Sequence, residues 1–342
     1  MKQHLKYLSV VGALGLFAAL STTVGQAAER VLRITNSPCV CYLPMLVAVK
    51  QGWLEEDLKK AGVKLDVQSY QDGPSQNAAF LSGSLDVAQI GLPGLALIAK
   101  GAPVKIFMVS DEEVSTEGLV VRKSANIGSV ADLKGKTIGV TAGSSSDYAL
   151  RATLKAANVD IGDVKVLPAP PPALSAAWSR GDVDAAYTWD PFLTQLARND
   201  GTVLSTIGGL SKATNGAYSI QNFYMVGAKF AEENPDILKV VAHTISRSVD
   251  YIAANPDKVA ADFLQEFGVD TAAEALVQIK GEKFYDAKMQ LGADLLGEPG
   301  KPGKLVDSLM GVWQFNFDTG KVTTPPNRDT IVKAIDTSAL VE

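Results

Sequence analysis

Histidine and cysteine are scarce in this 342-residue chain, which contains two of each. His4 lies near the amino end, and His243 lies inside a run with helical periodicity. The chain has no H-E-x-x-H, paired C-x-x-C, calcium-loop, P-loop, strand-linked G-x-G-x-x-G or G-x-S-x-G pattern. We therefore expect no metal, no nucleotide and no cofactor. His243 is predicted to be a structural residue on a helix face and not a catalytic base.

The two cysteines, Cys39 and Cys41, are separated by a single residue. A disulfide between them would require a strained local turn, because extended residues two apart exceed comfortable disulfide geometry. We therefore expect two partly buried thiols that line a loop, with no redox or metal role.

Basic runs are also missing. The formal net charge is −5, and lysines and arginines are dispersed along the chain. Hydrophobic residues make up 46% and charged residues 20% of the sequence, which is typical of a globular protein. Nucleic acid is therefore not an expected partner.

One long apolar run, at 8–20, follows Lys2 and Lys6 and precedes the small residues Gly25 and Ala27. This pattern predicts a signal peptide over 1–28 and therefore export to the periplasm. A retained membrane anchor is the alternative, although the run is short for a spanning helix. Loss of 1–28 removes two lysines and no acid, which leaves 30 basic and 37 acidic residues, a net charge of −7.

Short strand-like runs alternate with helical periodicity from residue 31 onward. The order is β-α-β-α-β-α-β up to residue 109, it restarts after residue 122, and helices predominate from residue 236. This alternation predicts an α/β fold with mostly parallel sheets flanked by helices.

Several loops lie where a predicted strand leads into a helix start: 36–38, 71–73, 92–94 and 143–147. Backbone N–H groups at a helix start, with hydroxyls beside them, bind anions, and Ser144, Ser145 and Ser146 form the best such set. The alternative is that Ser146 or Asp147 simply caps the helix. The adjacent acids at 112 and 113 are expected to be solvated on a loop.

Four segments resemble the periplasmic substrate-binding proteins of ABC importers, in the branch that takes taurine, alkanesulfonates, nitrate and thiamine precursors. They are LSGSLDVAQIG at 81–91, DLKGKTIGV at 132–140, PPALSAAWSRGDVDAAYTW at 171–189 and FAEENP at 230–235. The third is most similar to the taurine-binding members.

The resemblance implies the type II periplasmic-binding-protein fold, with two lobes joined by a hinge that closes on a ligand. Lobe one would comprise 29–122 plus 226–342, and lobe two 123–225. The strands at 117–122 and 219–226 would cross between the lobes.

The resemblance also implies where a ligand is bound, between the two lobes. The candidate ligand-binding residues are Asn36, Ser37, Pro38, Leu92, Pro93, Ser144, Ser145, Ser146, Tyr148, Trp189, Asp190 and Asn222. Serine hydroxyls and backbone N–H groups suit sulfonate oxygens, and an indole suits the alkyl part.

One departure from the resemblance concerns charge. Taurine-binding members carry an acidic residue for the ammonium group where this chain has Asn222, which is neutral. Asp190 is a substitute for that role, or else it caps the following helix. Trp189 contacts ligand or belongs to the core between lobes, and Asn222 is structural or faces the ligand.

These expectations describe a monomeric, non-enzymatic receptor that delivers a small sulfonate, with taurine first, to an ABC permease in the inner membrane. Three alternatives stay open. The ligand is another solute of the branch, such as nitrate, another alkanesulfonate or a thiamine precursor. The protein is a secreted enzyme using His243 or a cysteine. Or it is a ligand sensor that docks on a signalling receptor.

Overall fold

The computed structural model describes residues 30–37, 39–70 and 72–341. The predicted signal peptide at 1–28 and the candidate site residue Pro38 lie outside these residues. Over these three ranges, no helix combines the length and the hydrophobicity that crossing a bilayer requires.

Strands and helices alternate through most of the chain, as the sequence pattern predicts. The strands are β1 Arg30–Thr35, β2 Val63–Gln68, β3 Val87–Ile90, β4 Val104–Glu113, β5 Glu117–Arg122, β6 Thr137–Val140, β7 Lys165–Pro168, β8 Ala185–Trp189, β9 Gly201–Thr206, β10 Gln221–Gly227, β11 Glu282–Phe284, β12 Gly297–Glu298 and β13 Lys301–Pro302.

The α-helices are α1 Leu43–Lys50, α2 Trp53–Lys60, α3 Gly73–Leu81, α4 Leu92–Ala99, α5 Ser145–Ala156, α6 Pro171–Arg180, α7 Phe192–Arg198, α8 Ile207–Ala213, α9 Ala228–Glu233, α10 Pro235–Ala254, α11 Pro256–Asp262, α12 Ala272–Lys280, α13 Ala287–Gln290, α14 Leu305–Asp318 and α15 Arg328–Ala334. Short 3-10 helices cover Val40–Tyr42, Lys123–Ala125, Val130–Leu133, Ile161–Asp163 and Ser338–Leu340.

Two sheets follow the same plan. The first has the order β11-β4-β10-β3-β1-β2 and the second the order β7-β6-β8-β5-β9. The central strands β1 and β6 pair in parallel with both of their neighbours. One reversed strand is inserted in each sheet, β10 between β3 and β4 and β5 between β8 and β9. The predicted α/β fold with mostly parallel sheets is confirmed.

The strand at 117–122 was expected in lobe one, but β5 pairs only within the second sheet. Neither β5 nor β10 crosses between sheets, because each is held by partners on both sides. The crossings lie in the connections 114–116 and 214–220. We therefore propose that lobe one comprises 30–113 plus 221–341, and that lobe two comprises 117–213.

Local chemistry explains where these elements begin and end. Gly52 adopts φ +73° between α1 and α2, a left-handed conformation that separates the two helices. The Asp72 carboxylate accepts the Ser75 backbone N–H at 2.8 Å and so begins α3. A capping box of Thr271 and Glu274 begins α12.

One large hydrophobic cluster joins the two lobes, and smaller clusters lie within a single lobe. In lobe two the Trp178 side chain is fully buried between α6, α7 and the sheet. Its indole Nε1–H donates to the Asn199 carbonyl at 2.6 Å, and the Arg122 guanidinium lies 4.6 Å from the ring centroid. This indole joins the helical layer to the sheet on the face away from the cleft.

We predict that Trp178→Ala lowers the free energy of unfolding by about 3–5 kcal/mol, because it leaves a cavity and an unpaired carbonyl. Urea unfolding followed by circular dichroism measures the change. Val277→Ala, at a side chain that is 67% exposed, serves as the control and should change it by less than about 0.5 kcal/mol. Similar losses in the two variants would contradict this description of the lobe-two core.

Candidate ligand-binding site

A cavity of about 40 Å³ lies between the two lobes. A single water needs roughly 10–15 Å³ by this measure, so the space suits a small molecule. Its wall is formed by Ser37, Cys39, Cys41, Tyr42, Tyr70, Asp72, Gly73, Gln76, Gly91, Pro93, Glu113 and Asn222 of lobe one, and by Ser144, Ser145 and Trp189 of lobe two.

The position of this cavity follows from the direction of the strands. Wall residues follow the carboxyl ends of β1, β2, β3 and β6, or stand at the carboxyl ends of β4 and β8. Asn222 joins them from the beginning of β10, because a reversed strand begins where its neighbours end. Open α/β sheets bind small molecules at this edge.

The lobe-two side of the cavity is the start of α5, a helix of 12 residues. No side chain caps its amino end. The Ser144 hydroxyl donates to the Thr141 carbonyl at 2.7 Å, and the Ser146 hydroxyl donates to the Glu117 carboxylate. The hydroxyls of Ser144 and Ser146 are therefore already used as donors. An anion at this helix start can bind the backbone N–H groups of the first turn and the Ser145 hydroxyl.

Trp189 contacts the opposite lobe across the cavity. Its half-buried indole packs against Cys39, Cys41 and Tyr42. The two cysteines form a disulfide with their Cα atoms 5.1 Å apart, so the prediction of free thiols is wrong. That prediction assumed an extended chain, whereas here the chain turns into the 3-10 helix at Val40–Tyr42 and brings the two side chains together. The disulfide and Trp189 form the apolar part of the wall.

Asn222 lies between a glycine and two acids. A Cβ atom at residue 91 would lie only 2.3 Å from the Asn222 Oδ1. Glycine is therefore the residue that fits at position 91 beside this side chain. The Asn222 amide Nδ2 donates to Glu113 at 2.7 Å and to Asp111 at 3.1 Å. The amide is therefore fixed in one orientation, with both donors used.

The expectation that Glu113 is solvated on a loop is wrong. It is 4% exposed, because β4 continues to Glu113 and pairs with β10 and β11. Side chains alternate along the strand, so Asp111 and Glu113 face inward. Glu112 faces the other way, is only half-buried, and accepts the Tyr285 hydroxyl at 2.7 Å.

Four buried carboxyl groups meet beside the cavity: Asp111, Glu113, Glu117 and Glu282. Burial raises the pKa of each of them. The negative charge of Glu117 and a hydrogen bond between the two carboxyl groups raise the pKa of Glu113 further. The same hydrogen bond lowers the pKa of Glu117, as the Ser146 hydroxyl does. Two adjacent buried carboxyl groups without a cation favour the form in which one proton lies between them.

Six of the predicted site residues lie on the cavity wall. They are Ser37, Pro93, Ser144, Ser145, Trp189 and Asn222. The structure brings these six together from five separate stretches of the sequence. Their contact with a ligand remains a proposal.

Five other predicted site residues do not reach the wall, each for a structural reason. Leu92 belongs to the hydrophobic core. The Asn36 backbone N–H donates to Gln68 at the end of β2. Ser146 is bonded to Glu117, as described above. Tyr148 stacks edge-on against Phe315, with ring centroids 5.2 Å apart.

Asp190 is the fifth, and its carboxylate has a structural use. Its Oδ1 accepts the Thr194 backbone N–H at 2.8 Å within α7. Burial raises the pKa of this carboxyl to about 6, although hydrogen bonds from Thr194 oppose the shift. The suggestion that Asp190 receives a ligand amine is therefore not supported by its position, whereas the capping alternative agrees with it.

Nine wall residues are not among the predicted site residues: Cys39, Cys41, Tyr42, Tyr70, Asp72, Gly73, Gln76, Gly91 and Glu113. The alternation of Asp111 and Glu113 with Glu112 is the signal that could have extended β4. Nothing local marks Gln76, which the capped start of α3 places on the wall.

Contacts between the lobes surround the cavity. The Lys321 ammonium lies 2.7 Å from Asp147 on α5, and Arg151 lies 2.8 Å from the same carboxylate. Burial acts to raise the pKa of Asp147, but hydrogen bonds from Lys321 and the Gly143 N–H, with the Arg151 charge, lower it overall. On the opposite flank Gln278 donates to Thr194 at 3.1 Å. The structure therefore represents a closed cleft.

Catalytic groups are not assembled around the cavity. His243 is exposed on α10 and lines a different groove, with Asp57 and Lys60. Both cysteines are in the disulfide. Over residues 30–37, 39–70 and 72–341, no group of three His, Cys, Asp or Glu side chains could hold a metal ion.

Fold and site together define a two-lobe α/β protein with a cavity between its lobes. The family described as "NMT1/THI5 like" matches residues 41–259, and the chain belongs to this family. The taurine-binding periplasmic protein of Escherichia coli K12 is 33% identical to it over 275 residues, which is 79% of this chain and 82% of that protein. The resemblance to periplasmic binding proteins of ABC importers is confirmed.

Solved structures agree on the fold. The alkanesulfonate-binding protein SsuA from Xanthomonas axonopodis pv. citri, bound to MOPS, has a TM-score of 0.71 and 20% identity, and it covers 91% of this chain and 99% of its own. The desulfurization enzyme DSZB has a TM-score of 0.61 and 16% identity, with 91% and 97% covered. At these identities the likeness concerns the fold alone, which receptors and an enzyme share.

We predict that the protein as isolated contains no free thiol. Alkylation under denaturing, non-reducing conditions should leave its mass unchanged, and reduction should then allow two adducts. Intact-mass spectrometry measures both. Two adducts without prior reduction would contradict the disulfide.

We also predict that Lys321→Met lowers the free energy of unfolding at pH 7 by about 1–2 kcal/mol, because it leaves Asp147 with one cation. The folded-state pKa of Asp147 is depressed, so its stabilising effect is present above the unfolded value of about 3.9 and is lost as the pH falls through the folded value. The difference from wild type should therefore shrink in acid.

Urea unfolding at a series of pH values tests this expectation. Lys229→Met, which removes an 84% exposed lysine from a surface pair, should change stability by less than about 0.5 kcal/mol. A Lys321→Met effect that is absent at pH 7, or that stays constant in acid, would argue against the ion pair.

Proposed function

We propose that this protein is an extracytoplasmic solute-binding receptor that captures a small sulfonate between its lobes and delivers it to an ABC permease. The observation that carries the proposal is the small cavity enclosed by both lobes, with an uncapped helix start on one side. Ligand contact with both lobes would stabilise closure.

The wall suits a sulfonate in three respects. First-turn N–H groups of α5 point to the cavity end where Ser144 and Ser145 lie, and they favour an anion. Across the cleft, the Ser37 hydroxyl accepts the Gln76 amide N–H at 3.4 Å and can donate its own proton to a sulfonate oxygen. The Trp189 indole offers a flat apolar surface to a short carbon chain.

Taurine is the ligand that we propose first. It is small, and the Escherichia coli relative is a taurine-binding protein. Other alkanesulfonates, nitrate and thiamine precursors are the alternatives. We propose further that 1–28 is removed on export, that the mature protein acts as a periplasmic monomer, and that Asn222 and Glu113 face the ligand.

A secreted enzyme is the second candidate, because the fold also occurs in an enzyme, DSZB. Its main difficulty is chemical. Neither cysteine is a free nucleophile, and His243 lies in a different groove from the cavity. The wall described above therefore offers no Cys–His or Ser–His pair. A receptor needs neither group.

We predict that the protein binds taurine with one site per chain, because the two lobes enclose one cavity of suitable size. Isothermal titration calorimetry with taurine, ethanesulfonate and nitrate measures the affinities. Absence of heat with all three ligands would contradict the proposed ligand class.

Trp189→Ala should weaken the binding of the sulfonate by about tenfold through loss of the packing surface. Trp53→Ala is a matched control, since Trp53 is also half-buried but packs on Tyr251 and Arg247 away from the cavity. Equal effects of the two variants would mean that Trp189 acts on the fold and not on the ligand.

A further inference from the structure

The four buried carboxyl groups at the hinge have no cationic partner. Among the described residues none of Asp111, Glu113, Glu117 and Glu282 forms an ion pair, and in this neighbourhood only the outward Glu112 does, with Lys283 at 3.6 Å. Unpaired buried charges are costly, so proteins keep them mostly where they have a use. Because no metal-ligand geometry is present there, a metal ion does not explain them.

Neutral groups hold these carboxyls in place. Asn222 bridges Asp111 and Glu113, Ser146 donates to Glu117, and Thr116 donates to Glu282. Glu113 lies beside Glu117, and Asp111 beside Glu282, so that each carboxyl group affects the pKa of its neighbour. Two adjacent buried carboxyl groups without a cation favour the form in which they hold one proton between them.

The cluster spans the two lobes. Glu113 ends β4 in lobe one, and Glu117 begins β5 in lobe two, with the crossing 114–116 between them. Tyrosines face it from three further elements: Tyr42 beside the cavity, Tyr187 on β8 and Tyr224 on β10. All of these neighbours are neutral or acidic, so the electrostatic environment of Glu113 favours a cation.

We propose that Glu113 is the residue that selects ligands carrying a primary ammonium group, and that such a ligand displaces the proton which Glu113 shares with Glu117. This inference rests on the proposed sulfonate-receptor function. Before binding, the carboxyl pair holds one proton and one negative charge. On binding, the ammonium brings its own protons, both carboxylates become ionised, and the shared proton passes to the solvent.

Glu113 is favoured over the other acids by its position. Only Glu113 and Asp72 are acidic residues on the cavity wall. The Asp72 carboxylate caps α3 through Ser75 and is half-buried, whereas Glu113 is 4% exposed. Its Oε2 accepts no hydrogen bond from a described N–H or hydroxyl group. Asn222 is neutral and cannot supply the negative charge that an ammonium group needs. The Glu113 carboxylate, which accepts the Asn222 amide N–H, supplies it.

The first test compares two ligands that differ only in the amine. Taurine and ethanesulfonate are titrated into the full mature chain, as wild type, Glu113→Gln and Glu112→Gln. Glu113→Gln should weaken taurine by roughly 10- to 100-fold and leave ethanesulfonate unchanged or tighter. Glu112→Gln should change neither, since that side chain faces Tyr285. Thermal unfolding of each variant verifies folding.

The outcomes separate the inference from the function on which it rests. If wild type binds neither sulfonate, the proposed function fails. If it binds both but Glu113→Gln weakens both equally, or weakens neither, the function stands and the role of Glu113 is overturned. If Asp72→Asn instead weakened the binding of taurine alone, Asp72 and not Glu113 would be the residue that contacts the amine.

The second test needs no variant. Taurine binding is measured by calorimetry in two buffers of different ionisation enthalpy at one pH, and again between about pH 6 and pH 8. We expect proton release with taurine and none with ethanesulfonate, so that taurine affinity increases with pH by up to about tenfold per unit. Equal heats in both buffers, with a taurine affinity that does not depend on pH, would overturn proton displacement.

Discussion

The insertion of β10 between β3 and β4 is the constraint on which the cavity depends. A reversed strand begins where its parallel neighbours end, so β10 brings Asn222 to the carboxyl edge of the sheet. There it fits against Gly91, where a side chain would displace it, and its amide donates to Asp111 and Glu113. Strand direction therefore decides which polar groups face the cleft.

The reversed strand β5 has the corresponding role in lobe two. It begins at Glu117, and only three residues separate it from the end of β4, so the acids of the two lobes come together over a very short connection. Their mutual repulsion is reduced by shared protons and neutral donors. A cationic ligand group that neutralises this cluster interacts with acids of both lobes. Such a ligand binds the closed form more tightly than the open form, and a closing receptor requires this difference.

The alternating architecture could be read from the sequence because strand and helix periodicities are local. The predicted order of strands and helices agrees with the structure. The prediction failed at the end of β4, where the apolar residues stop at Val109 while the strand continues to Glu113. Pairing with β10 and β11 extends the strand, and the alternation of its three acids was the only local sign of this.

The errors around the site have a similar cause, because contacts between residues that are distant in the sequence are not visible in a local pattern. The structure places Ser37, Ser144 and Trp189 on the cavity wall, because a strand end determines the position of each. A role that depends on a distant side chain could not be predicted, as with Ser146, whose hydroxyl donates to Glu117. For Asp190 the sequence left two roles open, and its contact with Thr194 agrees with capping. The cysteine pair was misjudged because the turn at Val40–Tyr42 was not foreseen.

A crystal structure of the protein with taurine would test the central claim most directly. We predict that the sulfonate oxygens accept hydrogen bonds from the first-turn N–H groups of α5, that the carbon chain lies against Trp189, and that the ammonium contacts Glu113. Taurine bound with the opposite polarity, or outside the cavity between the lobes, would contradict this account.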